Sequence, residues 1–131
     1  MTNSYTIQRV GNGAHPVVVI DGFHPDFTRL RQSAAVAKFT KLSRFYPGFQ
    51  APADPRHLQA VHETLTDVLT SVFGMEGGVR LIQCSYSIVT TAEGDLLPIQ
   101  RLPHVDTTDP GRIALLHYLS DEETGGTAFY R

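Results

Sequence analysis

The chain has 131 residues, the size of one domain that can bury a core without disulfide staples, and its 41% hydrophobic and 18% charged residues are an ordinary globular balance. A net charge of -2 and a pI near 6.3 argue against nucleic acid or an anionic membrane as partner, because both select a basic surface. Cys84 is the only cysteine, which excludes an internal disulfide; with no apolar leader after Met1 and no run long enough to cross a bilayer, the expected location is the cytoplasm.

In chain order, residues 16–21 (Pro-Val-Val-Val-Ile-Asp) are a β-branched run that predicts a buried strand ended by Gly22. Asp26 predicts the cap of a helix through about Phe39, with Phe27, Leu30, Ala34 and Ala37 on one side. Residues 46–52 (Tyr-Pro-Gly-Phe-Gln-Ala-Pro) predict a loop. Asp54-Pro55 then reads as a cap followed by proline in the first turn, opening a helix. Along it Leu58, Val61, His62, Leu65, Val68, Leu69 and Val72 recur at helical spacing, and Gly74 is the expected stop. The remainder is strand-like: β-formers over 79–90, turns at 92–95 and 107–112, an irregular stretch at 98–103, a strand at 113–119, a hairpin-like loop at 120–126, and a further strand from Thr127. Helices followed by an antiparallel meander imply an α+β domain, a helix-backed β-sandwich or barrel.

The chemistry-bearing candidate is His104-Val105-Asp106. Residues i and i+2 of a strand share a face, so the imidazole and the carboxylate can aim at one divalent ion. With a distant second histidine they would make the facial triad that leaves three coordination positions open. Spacing alone does not single this site out, because His24-Pro25-Asp26 has the same pattern, and there Asp26 reads more simply as a helix cap. His57 and His62 are five apart, off a same-face metal spacing, and His62 falls in the apolar stripe. His15, Glu93, Asp95 and Asp109 are loop and turn residues, and Asp121, Glu122 and Glu123 read as a solvated loop. The sequence contains no Gly-rich phosphate loop, no recognisable nucleophile triad and no Cys/His zinc spacing.

Several segments in register carry a resemblance: Cys84-Ser-Tyr86-Ser, then His104-Val-Asp106, then Leu115-Leu-His-Tyr118-Leu119-Ser120, then Gly125-Gly126-Thr-Ala-Phe129-Tyr-Arg131, with Val17 to Phe23 as an opening strand. In order and spacing they resemble the prolyl-hydroxylase-like branch of the iron(II)/2-oxoglutarate-dependent oxygenases. The final run also resembles that of an uncharacterised bacterial family. The resemblance implies a single domain over 1–131. Its residues 1–78 would supply a strand and supporting helices, and 79–131 the first strands of a double-stranded β-helix, the cupin-like jelly roll. It implies His104 and Asp106 as metal ligands and Tyr86 and Tyr118 as contacts to 2-oxoglutarate, with core packing the plainer role for both tyrosines. Gly125-Gly126 matches a turn and carries no chemistry. The implied activity is hydroxylation of an unknown small-molecule or peptide substrate by ferryl hydrogen abstraction, with Fe(II) as cofactor and 2-oxoglutarate as cosubstrate.

The departures from that pattern are equally specific. The family's third ligand, a later histidine, and the basic residue that pairs with 2-oxoglutarate have no counterpart here. His117 is the only histidine after Asp106, and its neighbour Tyr118 would point to the opposite face of a strand. Packing is therefore the expected role of His117, while Arg131 is the one candidate stand-in for the missing cation. Four or five strands are too few to close a sandwich, so the chain is expected to be a portion of a longer protein or to pair as a homo-oligomer. Two rival readings follow: a catalytically incomplete oxygenase-like β-domain that binds a ligand or protein, and a cupin-like metal enzyme without 2-oxoglutarate. The latter usually presents more histidines near its first ligand than the one found over 100–107.

Overall fold

Thr6–Val10 (β1) and His15–Val19 (β2) form an antiparallel hairpin, paired from Thr6↔Val19 to Val10↔His15. The structure is a computed structural model that describes residues 3–120 and 126–129; the acidic run 121–123, Gly125 and Arg131 lie outside them. β2 corresponds to the strand expected over 16–21 but spans 15–19 and is half-buried rather than buried, and β1 pairs with it although no strand is expected there. The connecting turn needs left-handed backbone at Gly11 (φ 69°) and Ala14 (φ 49°), and the Ala14 N–H donates to the Gly11 carbonyl at 3.2 Å.

After Gly22 the chain enters α1, Phe27–Ala35, which ends at Val36 and so falls short of the expected Phe39. Asp26 occupies the cap position, and its carbonyl accepts the Leu30 N–H at 3.2 Å. Its side chain makes no cap bond. The Asp26 N–H instead donates to His24 Nδ1 at 3.0 Å, so the histidine and the backbone shape this entry.

The segment expected as a loop contains a strand, β3, Gly48–Pro52. It pairs antiparallel with β4, Ser85–Val89, from Gly48↔Val89 to Pro52↔Ser85. On its other side Gln50 exchanges two backbone bonds with Thr40, at 2.8 and 3.0 Å. Proline and glycine are tolerated because they sit at the strand's two ends, and Gly48 is where the β4 backbone comes closest.

The expected long helix is two pieces. A 3₁₀ turn covers Pro55–Val61, and α2 covers His62–Ser71. Val61 (φ -117°, ψ 14°) leaves helical geometry and marks the joint. At the start, the Asp54 carboxylate accepts the Arg56 N–H at 3.0 Å and pairs with the Arg56 guanidinium at 2.6 Å. Those bonds hold the Asp54 carboxyl down to about 2. Gly74, with φ 66°, ends the helical run as expected.

The buried set is small: Phe23, Leu30, Ala51, Val61, Thr64 and Val68. Phe23 comes from the loop before α1, Leu30 from α1, Ala51 from β3, Val61 from the 3₁₀ turn, and Thr64 and Val68 from α2; Val61 and Val68 belong to the predicted stripe, and Thr64 is a buried residue outside it. His62, read as part of that stripe, is exposed. Thr64 is 2% exposed, and its Oγ1 accepts the Asn3 N–H at 2.9 Å. Asn3 Nδ2 donates in turn to the carbonyls of Gly22 and Phe23, at 2.9 and 2.8 Å, stitching the N-terminus to the core. Thr64→Val keeps the shape but strands the Asn3 N–H. It is expected to cost roughly 1–3 kcal/mol, read as a lower urea midpoint with an unchanged slope.

Beyond β4 there are 3₁₀ turns at Glu93–Asp95 and Pro98–Arg101, and no further strand among the described residues. Segments 79–84 and 113–119, expected as strands, carry no ladder. Leu81, Ile82, Val105, Ile113, Leu115 and Leu116 stay exposed. The accessible surface, 10384 Å², is well above the roughly 6,800 Å² expected of a compact chain of this mass. The architecture is α+β, with two two-stranded antiparallel sheets and two α-helices, and no closed barrel among the described residues. No helix among them is long and apolar enough to cross a membrane.

Candidate functional site

His104 and Asp106 follow a loop that is fixed by its own side chains. The Leu97 N–H donates to Gln100 Oε1 at 2.8 Å, and Gln100 Nε2 donates to the Arg44 carbonyl at 3.1 Å, which ties the loop to the first half of the chain. Arg101 donates to the carbonyls of Leu96, Glu93 and Gly94 at 3.2–3.3 Å. Downstream, Thr107 Oγ1 accepts the Asp109 N–H, and Asp109 Oδ1 accepts the Gly111 N–H, closing the turn that the Asp-Pro-Gly sequence predicts. His104-Val105-Asp106 thus lies between two locally bonded turns.

The two side chains meet as the i, i+2 argument requires, although the backbone is not laddered. His104 Nε2 stands 3.3 Å from Asp106 Oδ1. His104 Nδ1 lies 3.2 Å from the Leu102 carbonyl, so it carries the proton and donates there. With Nδ1 donating to the backbone, Nε2 is the ring nitrogen turned to the carboxylate, and a backbone-held Nδ1–H is how metal-binding imidazoles are usually oriented. Two donors on one octahedral ion stand roughly 3 Å apart, close to the observed separation. The donor chemistry, one imidazole and one carboxylate, therefore fits two positions of a divalent ion. Both side chains are open to solvent, 75% and 85% exposed. Among the described residues no group of three or more His, Cys, Asp or Glu side chains is placed to hold a metal.

The tyrosines are held elsewhere. Tyr86 lies on β4, opposite Ala51 of β3, and its hydroxyl meets Ser33 of α1. Burial, then the nearby Cys84, push its phenol above the ordinary value, against the pull of the Ser33 bond. Burial also raises the Cys84 thiol, with Asp54 adding to it, so the thiolate is disfavoured. Tyr118 is exposed, and its hydroxyl pairs with Thr127 Oγ1 at 2.6 Å. The structure thus brings His104 to Asp106 but packs Tyr86 on the helical layer and Tyr118 on the last described segment.

His117 faces away from Tyr118, as its position in the sequence implies, and packs on Phe23 with ring centroids 5.1 Å apart. His24 and His57 lie beside it, a grouping of three distant imidazoles that no spacing rule in the sequence signals. Two surface depressions, of about 520 and 500 Å³, run along α2 (His62, Glu63, Thr66, Asp67) and α1 (Phe27, Thr28, Arg31), away from His104 and Asp106.

A family model described as a family of unknown function (DUF6445) matches residues 1–131, and the chain belongs to that family. No curated protein and no solved structure matches the chain. The family description names no activity, so the resemblance to oxygenases rests on the residues alone.

Proposed function

We propose that this member of the family is an iron(II)- and 2-oxoglutarate-dependent dioxygenase, with His104 and Asp106 as two of its metal ligands. The observation that carries the reading is the paired geometry of those two side chains, with Nδ1 anchored on the Leu102 carbonyl and Nε2 turned to the carboxylate. The order of the surrounding segments adds to it. When bound, the metal would supply the oxygen-activating redox chemistry that a side chain cannot, with 2-oxoglutarate as the co-reductant. The chain's own part is to present the two donors, to set the His104 tautomer and to hold the flanking turns. The double-stranded β-helix belongs to the same proposal. In it the apolar segments 79–84 and 113–119 would become laddered strands, and Tyr86 and Tyr118 would reach 2-oxoglutarate. The third ligand and the cation for the far carboxylate would come from outside the described residues. The substrate class is a small molecule or peptide.

Anaerobic titration of iron(II) in the presence of 2-oxoglutarate tests this directly. The expected result is the visible charge-transfer band of a chelated keto acid, absent when 2-oxoglutarate is omitted and absent in His104→Ala. Without a band in this chain, or in the longest natural protein that contains it, the proposal fails. A second reading, an oxygenase-like β-domain that binds a ligand or protein without turnover, is favoured by one specific observation. Leu81, Ile82, Leu115 and Leu116 are apolar and open to solvent, the kind of side chains that interaction sites present.

A further inference from the structure

His24, His57 and His117 come from the loop before α1, the 3₁₀ turn Pro55–Val61 and the extended segment 113–119. Their rings gather with centroids 5.8 Å apart for His24 and His57, and 6.3 Å apart for His24 and His117, the latter pair stacked at 27°. Phe23 and Phe27 complete the packing around His117, at 5.1 and 6.3 Å.

The hydrogen bonds define the neutral forms. His24 Nδ1 accepts the Asp26 N–H at 3.0 Å, so its proton is on Nε2, which donates to the His57 carbonyl at 2.9 Å. His57 Nδ1 is bonded to the Asp54 carbonyl and carries its proton there. A second proton on His24 would go to Nδ1 and remove the acceptor of the Asp26 N–H. His117 anchors its segment by ring packing: it and Leu119 are half-buried, while Leu115, Leu116 and Tyr118 are exposed.

We propose that these three imidazoles form a pH-operated latch: while neutral they hold the segment around His117 against the loop before α1, and protonation releases it.

The groups around His117 do not offset a positive charge. The loop before α1 contributes His24, and its Asp26 is an exposed residue that meets the cluster through its backbone N–H. From α1, the Arg31 guanidinium lies 5.7 Å over the Phe27 ring. The 3₁₀ turn contributes His57, and the Asp54 carboxylate at its start is engaged by the Arg56 guanidinium at 2.6 Å and is also within electrostatic reach of His57. Burial first, then His24 and His57, press the His117 pKa below its ordinary 6.5. A released segment therefore takes up a proton more readily than a docked one. Docking is fully favoured above pH 6.5 and loses that advantage as the pH falls through the lower docked value. The core residues Leu30, Thr64 and Val68 are not members of the cluster, which makes local release distinct from unfolding.

The test is an NMR titration of the whole chain from pH 7.5 to pH 5, following the nuclear Overhauser contact between the Phe23 and His117 rings, the His117 ring shifts, and the methyls of Leu30 and Val68. The expected result is loss of the Phe23–His117 contact, with a midpoint below 6.5 that tracks the His117 ring, while the two core methyls stay in place. In His117→Phe, which keeps an aromatic ring at the position, the corresponding contact with Phe23 should persist to pH 5. A contact that survives protonation of His117 overturns the latch. So does simultaneous loss of the core methyl signals, or the same pH-dependent release in His117→Phe. If that variant does not fold, the wild-type titration decides alone.

Discussion

Gly48→Ala is expected to lower the melting temperature by roughly 10 °C, from a loss of about 2–3 kcal/mol. A Cβ at this position would stand 1.7 Å from the Ile88 carbonyl oxygen, 2.8 Å from the Ile88 carbonyl carbon and 2.9 Å from the Val89 Cα. All three are backbone atoms, so no rotamer change can make room, and β3 must part from β4 at the Gly48↔Val89 pair. The disturbance would reach the Pro47 carbonyl, which accepts the N–H groups of Thr90 and Thr91 at 3.0 and 3.1 Å. Gly94→Ala is the matched control. Its Cβ would meet nothing within 4 Å and its backbone has no left-handed requirement, so its melting temperature should stay near that of wild type. Equal melting temperatures for Gly48→Ala and wild type would mean that β3 and β4 do not pair in this register.

That close approach also shows why parts of the fold were hidden from the sequence. The signals in Tyr46-Pro-Gly-Phe-Gln-Ala-Pro are those of a loop, yet the segment becomes a strand because β4 and Thr40 bond it from both sides, and neither partner is adjacent in sequence. The β1–β2 hairpin carries its own signal in the sequence. Asn12-Gly13 between two β-rich runs is a turn signal in its own right. Over 113–119 the difference runs the other way. β-formers describe a surface that wants a partner strand, and among the described residues these have none. The apolar periodicity of the second helix holds for Val61 and Val68, which are buried, and for Leu58, Leu65, Leu69 and Val72, which are half-buried, but not for His62, which is exposed. Of the candidate site, the His104–Asp106 pairing is visible in the sequence because it depends on only two residues of local backbone. The His24–His57–His117 cluster is not, since it exists only once three remote segments have met.

Alanine at His104 or at Asp106 is expected to abolish iron-dependent succinate formation while leaving the melting temperature within about 2 °C of wild type. The two halves of this expectation rest on different observations. Removing one donor from a two-donor edge should weaken metal binding by well over 100-fold, since even a ligand's hydrogen-bond partner is worth about 10–100-fold. The stability half follows from exposure: with side chains 75% and 85% exposed, neither residue has packing to lose, and their 3.3 Å contact is open to solvent and of small net value. The pair therefore separates chemistry from folding more cleanly than a buried site would. Asp106→Asn sharpens the test, because it keeps the shape and an acceptor oxygen but removes the negative charge. A metal centre should lose most of its affinity, whereas a purely structural His104–Asp106 contact would tolerate the change. Full turnover in either alanine variant would end the oxygenase assignment at these residues. A melting shift as large as that of Gly48→Ala would instead show that the segment is held by contacts between the two side chains, leaving the paired geometry as a feature of the fold.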